Sequence, residues 1–445
     1  MIRRLLNRCR FIYADAALSS WVATGAALLI TTLLWALAKF MGIRTQGLWP
    51  WGAATQLSGL WSVTLMSMAM IAVTRAQALD PLFGGLDRAT RFHRVVGPAA
   101  VLLMVLHPLF LIVDGFPVSM TLVPFSDEET RSLDIIAFYL ILILTALAYV
   151  GRLGYERWTN LHRPIGLLFL VGAVNASILE PGTSASFEPL RTWIVILILG
   201  GAFALLYRVV LFQRFGGRYE YKVQTLDLRP DESIDLVMRP VHRRMMYEPG
   251  TFVFLRVRAL RQHARELHPF SISSSPVERD LRLSIKMVGD FTRSLATLPV
   301  GLPIDIYGPF GGFTPHRFAQ YKRLVLVGAG IGITPFLSML AFEASNNEFR
   351  RIWLYYVVRT ADQAPYHAEI QSRFINANSF IDYILWTSAD QGRITAAATL
   401  ENVLPLDNFA VMLCGRPEFV SAMASQFQQA GVPAERIISE SFLFR

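Results

Sequence analysis

Apolar residues follow two different patterns along the chain. In the first half they run continuously, from Ala17 to Ala38, Gly52 to Val73, Val95 to Val113, Leu133 to Val150, Ile165 to Leu179 and Trp193 to Leu211. Most of these runs are long enough to cross a hydrocarbon core of about 30 Å as helices, and the fifth needs its flanks to do so. The expectation is a multi-domain membrane protein that begins with a six-helix transmembrane bundle over residues 1–213. In the second half the runs shorten and begin to alternate. Tyr219 to Val223, Asp235 to Met238, Phe252 to Val257 and Leu281 to Met287 read as strands, separated by turn signals at Glu248-Pro249-Gly250 and near Pro276, Pro299 and Pro309. They predict a small β-barrel over residues 214–319. From Lys322 onward strands at Leu324 to Val327, Ile352 to Val358 and Ala410 to Cys414 alternate with helices at Pro335 to Ala344 and after Pro417. This alternation predicts an α/β Rossmann-like domain over residues 320–445.

Composition agrees with the membrane half, since 53% of the 445 residues are hydrophobic. The first apolar run is long, with no short core followed by a small-residue cleavage site, so a cleavable signal peptide is not expected. The net charge of +9 does not point to nucleic acid, because the arginines gather beside the spans rather than in an aromatic-interleaved patch. Arg3, Arg4, Arg8 and Arg10 precede the first span, Arg75, Arg88, Arg91 and Arg94 follow the second, and Arg152, Arg157 and Arg163 follow the fourth. The positive-inside rule makes these segments cytoplasmic. Asp114, Asp127, Glu128, Glu129, Glu180 and Glu188 then face outward, and six spans put both termini inside a cell membrane. The compact length suits a bacterial inner membrane. Two cysteines, Cys9 and Cys414, give no disulfide framework.

Three histidines stand out in the apolar half. Ionisable side chains at membrane depth are costly and mark candidate sites. His93 and His107 are 14 residues apart, about 21 Å of helix and nearly four turns, so they share a face. His162 begins the fifth span at the depth of His93. An imidazole pair drawn from two helices can hold a b-type haem iron with no open position; two helix-end histidines at headgroup level are the bland alternative. In the last third, Leu324 to Val327 enters Gly328-Ala329-Gly330-Ile331-Gly332-Ile333-Thr334-Pro335, a glycine turn opening a helix, where backbone amides and the helix terminus suit a pyrophosphate. A structural turn would look similar, but Cys414-Gly415-Arg416-Pro417 adds a second loop at a strand end of the same sheet. Arg359 and Arg393 are each either a 2′-phosphate contact, selecting NADPH, or a solvated surface arginine. His268-Pro269-Phe270-Ser271-Ile272-Ser273-Ser274-Ser275-Pro276 puts an aromatic and several hydroxyls in an extended segment. Lys286 and Gly289 follow, with a helix expected to start at Thr292. Together they offer an isoalloxazine and pyrophosphate site.

The ordered set HPFSISSSP, IKMVGDFT, YGPFG, VGAGIGITPF and CGRPEF behind a histidine-bearing membrane region resembles the ferric reductase and NADPH oxidase superfamily over nearly the whole chain. The resemblance implies a haem-binding membrane domain fused to an FAD- and NADPH-binding dehydrogenase. It implies that His268, Pro269, Phe270 and Ser271 meet the flavin, and that Lys286, Gly289 and Thr292 bind the FAD pyrophosphate. Gly328, Gly330, Gly332 and Thr334 would cradle NADPH phosphates, Cys414 and Gly415 would lie near the nicotinamide, and Arg393 would take the 2′-phosphate. Phe442, two residues after Glu440, or its competitor Phe444, would shield the flavin. His93 and His162 would hold one haem. The resemblance also expects a second histidine in the fifth span to pair with His107, and Asn175 stands there. His107 is then a core histidine, the sole ligand of a five-coordinate outer haem beside Asn175, or paired with a ligand from elsewhere.

The implied activity is transfer of electrons from NADPH through FAD and haem b to an outer acceptor, a ferric or other metal chelate or molecular oxygen. The rival is a membrane-anchored flavin reductase serving a cytoplasmic or quinone acceptor. Membrane lipid is the expected surrounding, and no nucleic acid is involved.

Overall fold

The computed structural model describes residues 16–42, 51–124, 129–150, 155–175, 186–260, 263–264, 266–345, 350–375, 380–403 and 408–441. The chain divides into two compact units, with Ala14–Phe215 forming one of them.

The described residues of the membrane unit include six helices of 19 residues or more: α1 (Ala16–Phe40), α2 (Trp51–Ala72), α3 (Leu86–Val113), α4 (Glu129–Val150), α5 (Tyr155–Val174) and α6 (Glu188–Leu206). Among the described residues four segments, Ser19–Phe40, Arg88–Val113, Ser132–Val150 and Glu188–Phe215, are long and apolar enough to span a membrane by length and composition. The other two long helices are α2 and α5. Polar side chains interrupt α2, and Arg157, His162 and Arg163 occupy the first half of α5. Most of α2 is buried, including Thr55, Ser58, Ser62, Thr64 and Ser67. Its small polar side chains allow close helix approach and bond inside the bundle. Ser62 Oγ donates to Ala100 O at 2.9 Å, and Trp193 Nε1 donates to Thr31 Oγ1, itself 3.2 Å from Thr64 Oγ1.

In the other unit, β1 (Arg218–Leu228), β2 (Ser233–Pro240), β3 (Phe252–Arg256), β4 (His268–Ser271), β5 (Leu281–Lys286) and β6 (Pro303–Phe310) form an antiparallel sheet ordered β4-β3-β6-β1-β2-β5. A bridge between Ile272 and Leu283 joins its two ends, closing it into a barrel-like shape. Two local expectations change. Pro309, expected in a turn, lies inside β6, at the place where the register against β3 shifts; a bulge tolerates proline because the ladder is already broken there. The helix expected to start at Thr292 is α7 (Asp290–Ser294), with Thr292 at its third position.

Five parallel strands follow: β7 (Arg323–Ala329), β8 (Arg351–Val358), β9 (Ile381–Thr387), β10 (Phe409–Gly415) and β11 (Ile437–Ser441). They are ordered β11-β10-β7-β8-β9. Helices α8 (Thr334–Ser345), α9 (His367–Ile370) and α10 (Pro417–Gln429) lie between them in sequence. The chain builds β7, β8 and β9 in one direction and then returns to place β10 on the other side of β7. That reversal makes the carboxyl ends of β7 and β10 a topological switch point, where open α/β sheets bind ligands.

Candidate functional site

In the membrane unit α2 and α3 run antiparallel, and the two α3 histidines are anchored in matching ways. His93 Nδ1 lies 2.9 Å from Ala69 O, and His107 Nδ1 lies 2.8 Å from Thr55 O. A carbonyl oxygen only accepts, so each Nδ1 donates, as in metal-binding histidines whose other ring nitrogen faces the metal. At the end of α2, Val73 and Thr74 donate three residues back, to Met70 and Ile71. The Ala69 carbonyl belongs to the group that a helix end leaves over for other donors. Gly59 makes room for His107, since a β-carbon there would stand 3.1 Å from Nδ1 and 3.2 Å from Cε1. His162 on α5 faces His93 with ring centroids 5.8 Å apart and planes at 82°, and Trp158 stacks on His162 at 4.8 Å and 10°. Asn175 is buried and donates Nδ2 to Asp134 Oδ2 at 2.8 Å. Among the described residues no group of three or more His, Cys, Asp or Glu is arranged to hold a bare metal ion.

In the barrel, β4 carries His268, Pro269, Phe270 and Ser271, paired with Leu255, Phe254, Val253 and Phe252. Ser271 is buried, and its Oγ has no hydrogen-bond partner within the protein. A buried polar atom left this way calls for a partner from outside. His268 Nε2 donates to Glu266 Oε2 at 2.5 Å, and Glu266 Oε1 takes His263 Nδ1–H at 2.8 Å. The His268 ring stacks on Phe291 at 3.7 Å, and Phe270 lies nearly parallel to Phe291. Burial lowers the His268 pKa, with Glu266 pulling the other way. Burial also opposes the Glu266 carboxylate, but the bonds from the two histidines prevail and its pKa falls. The pair is thus a neutral imidazole against a carboxylate. Lys286 ends β5, its Nζ 3.9 Å from Asp231 Oδ2. Thr292 Oγ1 accepts the N–H groups of Val288 and Gly289 at 3.1 and 3.0 Å, so its hydroxyl serves its own turn, while Gly289 borders open space.

At the switch point the glycines are set by contact. A β-carbon on Gly332 would stand 2.4 Å from Cys414 O and 2.9 Å from Gly415 N; one on Gly415 would meet Ala329 Cβ at 3.1 Å; one on Gly328 would meet Ile333 Cα at 3.0 Å. Gly330 has φ +56°, in the left-handed region that glycine adopts without strain. Thr334 Oγ1 donates to Ile331 O at 3.0 Å and caps the turn. The two loops therefore meet backbone to backbone. Arg359 and Arg393 are exposed on neighbouring loops: Ala389 N–H donates to Arg359 O, and Trp386 Nε1 donates to Gly392 O, both at 2.9 Å.

Family models match this architecture in order: a ferric reductase-like transmembrane component over residues 58–173, an FAD-binding domain over 218–302 and an oxidoreductase NAD-binding domain over 326–425. The chain thus carries, in this order, the three domains of a ferric reductase-like flavoprotein, and its relatives include NADPH oxidases. It is 37% identical over 131 residues to a superoxide-generating NADPH oxidase heavy chain of Dictyostelium discoideum, covering 25% of this chain and 24% of that one. It is 31% identical over 182 residues to mouse NADPH oxidase 1, covering 38% and 29%. The chain thus matches less than a third of the length of these curated relatives. Among solved structures, flavohemoglobin from Malassezia yamatoensis aligns with a TM-score of 0.50 at 20% identity, covering 87% of this chain and 98% of that one, a likeness of fold.

A ferric reductase-like chain of this domain order carries the parts of an NAD(P)H-dependent oxidoreductase. The fold adds one residue to those expected from sequence. Glu440, on β11, pairs in register with Cys414 and is buried. A β-carbon on Gly311 would lie 3.7 Å from Glu440 Oε1 and 3.0 Å from Phe252 Cδ1, and Phe252 is the strand partner of Ser271. Barrel and nucleotide sheet therefore meet where Glu440 approaches Gly311 beside Phe252. Burial, followed by the Glu440 charge, pushes the Cys414 thiol well above its usual pKa, so it stays protonated. The acidic-x-aromatic spacing at the chain's end was the sequence signal for Glu440. Phe442 and Phe444 lie outside the described residues.

Proposed function

We propose that the protein is a transmembrane oxidoreductase that oxidises NADPH at the cytoplasmic face and delivers electrons one at a time to an acceptor outside, a ferric chelate or molecular oxygen. The carrying observation is the juxtaposition of His93 and His162, two imidazoles from different membrane helices with ring centroids 5.8 Å apart. FAD, when bound, would supply the conversion between hydride and single-electron chemistry, and haem would supply one-electron transfer. In this reading six spans place both termini in the cytoplasm, the arginine-rich loops lie inside, and the membrane is a bacterial inner membrane.

The residues fit these groups. His93 and His162 would hold one haem b, with Ala69 O orienting the His93 ring. Ser271 Oγ, buried without a protein partner, would meet the flavin edge, flanked by Phe270 and the His268–Phe291 stack. Lys286 and the Gly289 turn would face the pyrophosphate. Gly328, Gly330 and Gly332 would admit the nucleotide phosphates to the β7 turn, with Arg359 and Arg393 at the 2′-phosphate. Cys414, protonated, and Glu440 would line the side where nicotinamide meets flavin, and Phe442 would cover the flavin. None of these side chains need act as a nucleophile; they orient, insulate and exclude water. His107 is anchored as His93 is, but Asn175 is occupied by Asp134, so we assign one haem and leave His107 in a packing role.

The test uses purified protein in proteoliposomes with NADPH outside and a ferric chelate enclosed, counting molecules oriented with the dehydrogenase outward. His93→Ala and His162→Ala should each abolish the low-spin haem spectrum and reduction of the enclosed chelate, while NADPH oxidation by a soluble artificial acceptor persists. Enclosed-acceptor reduction that survives both substitutions would refute the conduit in favour of a membrane-anchored reductase.

A further inference from the structure

One buried carboxylate ties the barrel to the nucleotide-binding sheet. Asp235 on β2 is 2% exposed. Arg229 Nε and Nη2 donate to its Oδ2 at 3.1 and 2.7 Å, Ser284 Oγ donates to Oδ1 at 2.5 Å, and Tyr366 Oη donates to Oδ1 at 3.0 Å. The arginine and serine belong to the barrel. Tyr366 belongs to the nucleotide-binding domain: it is fully buried, ends the loop that leaves β8 through Arg359, and immediately precedes α9. On the barrel side Ser284 Oγ also lies 2.8 Å from Ser273 Oγ, two residues beyond Ser271. A continuous line of hydrogen bonds therefore runs Ser273, Ser284, Asp235, Tyr366, from the segment holding the flavin edge to the loop carrying Arg359.

A second line runs beside it. Arg282 donates Nε to Ser273 Oγ at 3.2 Å and Nη1 to Glu369 Oε2 on α9 at 3.0 Å, and Arg373 pairs with Glu278. Exposed ion pairs such as the last contribute little. A hydrogen bond to a buried charge is among the strongest available, and losing it strands the partner. Burial, reinforced by Asp235, pushes the Tyr366 hydroxyl well above its ordinary pKa, so it remains a donor. Hydride transfer demands a near-attack geometry, and errors of about 1 Å cost about 100-fold in rate.

Building on the function proposed above, we propose that the Tyr366–Asp235 hydrogen bond is a positioning contact for hydride transfer, holding the nucleotide sheet at the separation from the Ser271 segment that brings nicotinamide to flavin. Tyr366 touches neither reacting group; it acts through the sheet that carries them.

The test is anaerobic stopped-flow reduction of bound FAD by NADPH in the full-length, detergent-solubilised protein. Tyr366→Phe keeps the ring and removes the donor. It should lower the reduction rate constant at saturating NADPH about tenfold, while the half-saturating NADPH concentration and the FAD content stay near those of the unaltered protein. Glu369→Gln, on the same face, should leave the rate within about twofold, as expected for a weaker, partly exposed pair. An unchanged rate in Tyr366→Phe, a rise in half-saturation that accounts for the loss, or an equal loss in Glu369→Gln would each overturn the proposal. If Tyr366→Phe does not retain FAD, Asp235→Asn decides, because its single amide oxygen is claimed by the Arg229 guanidinium and its NH2 is left against Tyr366 Oη: a similar loss at unchanged half-saturation supports the contact, and an unchanged rate overturns it. Should the unaltered protein fail to reduce FAD with NADPH, the functional reading falls; should it succeed while Tyr366→Phe matches it, only the positioning role falls.

Discussion

Gly332 approaches Cys414 so closely that a β-carbon on it would stand 2.4 Å from the Cys414 carbonyl oxygen. The obstacle is backbone, which cannot swing aside as a side-chain end can. Gly332→Ala must therefore separate β7 from β10 at the crevice where the nucleotide would bind. The expected result is a loss of at least about tenfold in NADPH-dependent flavin reduction with FAD still bound, read by stopped-flow reduction beside the flavin absorbance. Equal rates would show that the two loops do not form the nucleotide site.

The haem assignment predicts an asymmetry among three similar histidines. His93→Ala and His162→Ala should each remove the single haem. His107→Ala should leave it, at a cost in stability, because the substitution empties a packed position against Gly59 and strips Thr55 O of its donor. The reduced-minus-oxidised spectrum and haem per protein decide it. Loss of half of two haems in His107→Ala would restore an outer haem.

Arg359 and Arg393 predict nucleotide choice. Each is exposed, and their loops are joined by the Ala389 to Arg359 bond. Arg393→Ala should raise the KM for NADPH about tenfold, the size of one lost charge-assisted bond, with the KM for NADH unmoved; Arg359→Ala should act in the same direction. A parallel rise for both nucleotides would remove the 2′-phosphate role.

Much of this architecture was legible because burial and periodicity coincide in it. The central strands β7, β8 and β10 are buried except at the ends of β7 and the first residue of β8 and read as apolar runs. The edge strands β9 and β11 did not announce themselves: Asp382, Tyr383, Ser439 and Glu440 interrupt them, as befits strands paired on one side only. Pro303, Gly308 and Pro309 disguised β6 as turns. The approach of Glu440 to Gly311 and the Asp235–Tyr366 bond arise from residues far apart in sequence; no local pattern encodes a partner 131 positions away. The histidine ladder was visible from spacing, but its anchors, Thr55 O and Ala69 O, are backbone atoms that only the antiparallel packing of α2 and α3 reveals.

Acid should loosen the flavin segment first. His268 has a pKa below its ordinary 6.5 because of burial, and Glu266 lies below its ordinary 4.5 because its bonds from His263 and His268 outweigh burial. Both folded values are depressed, so over these ranges the unfolded chain binds more protons and stability rises with pH. On acidification the His268 contribution is lost from about 6.5 downward and the Glu266 contribution below about 4.5. Protonated His268 would also have to keep its stack on Phe291, 3.7 Å away. The expected outcome is a melting temperature and FAD retention that fall as the pH is lowered from about 7 to about 5, with the slope reduced in His268→Gln. An equal slope in that variant would mean that the loss originates elsewhere in the chain.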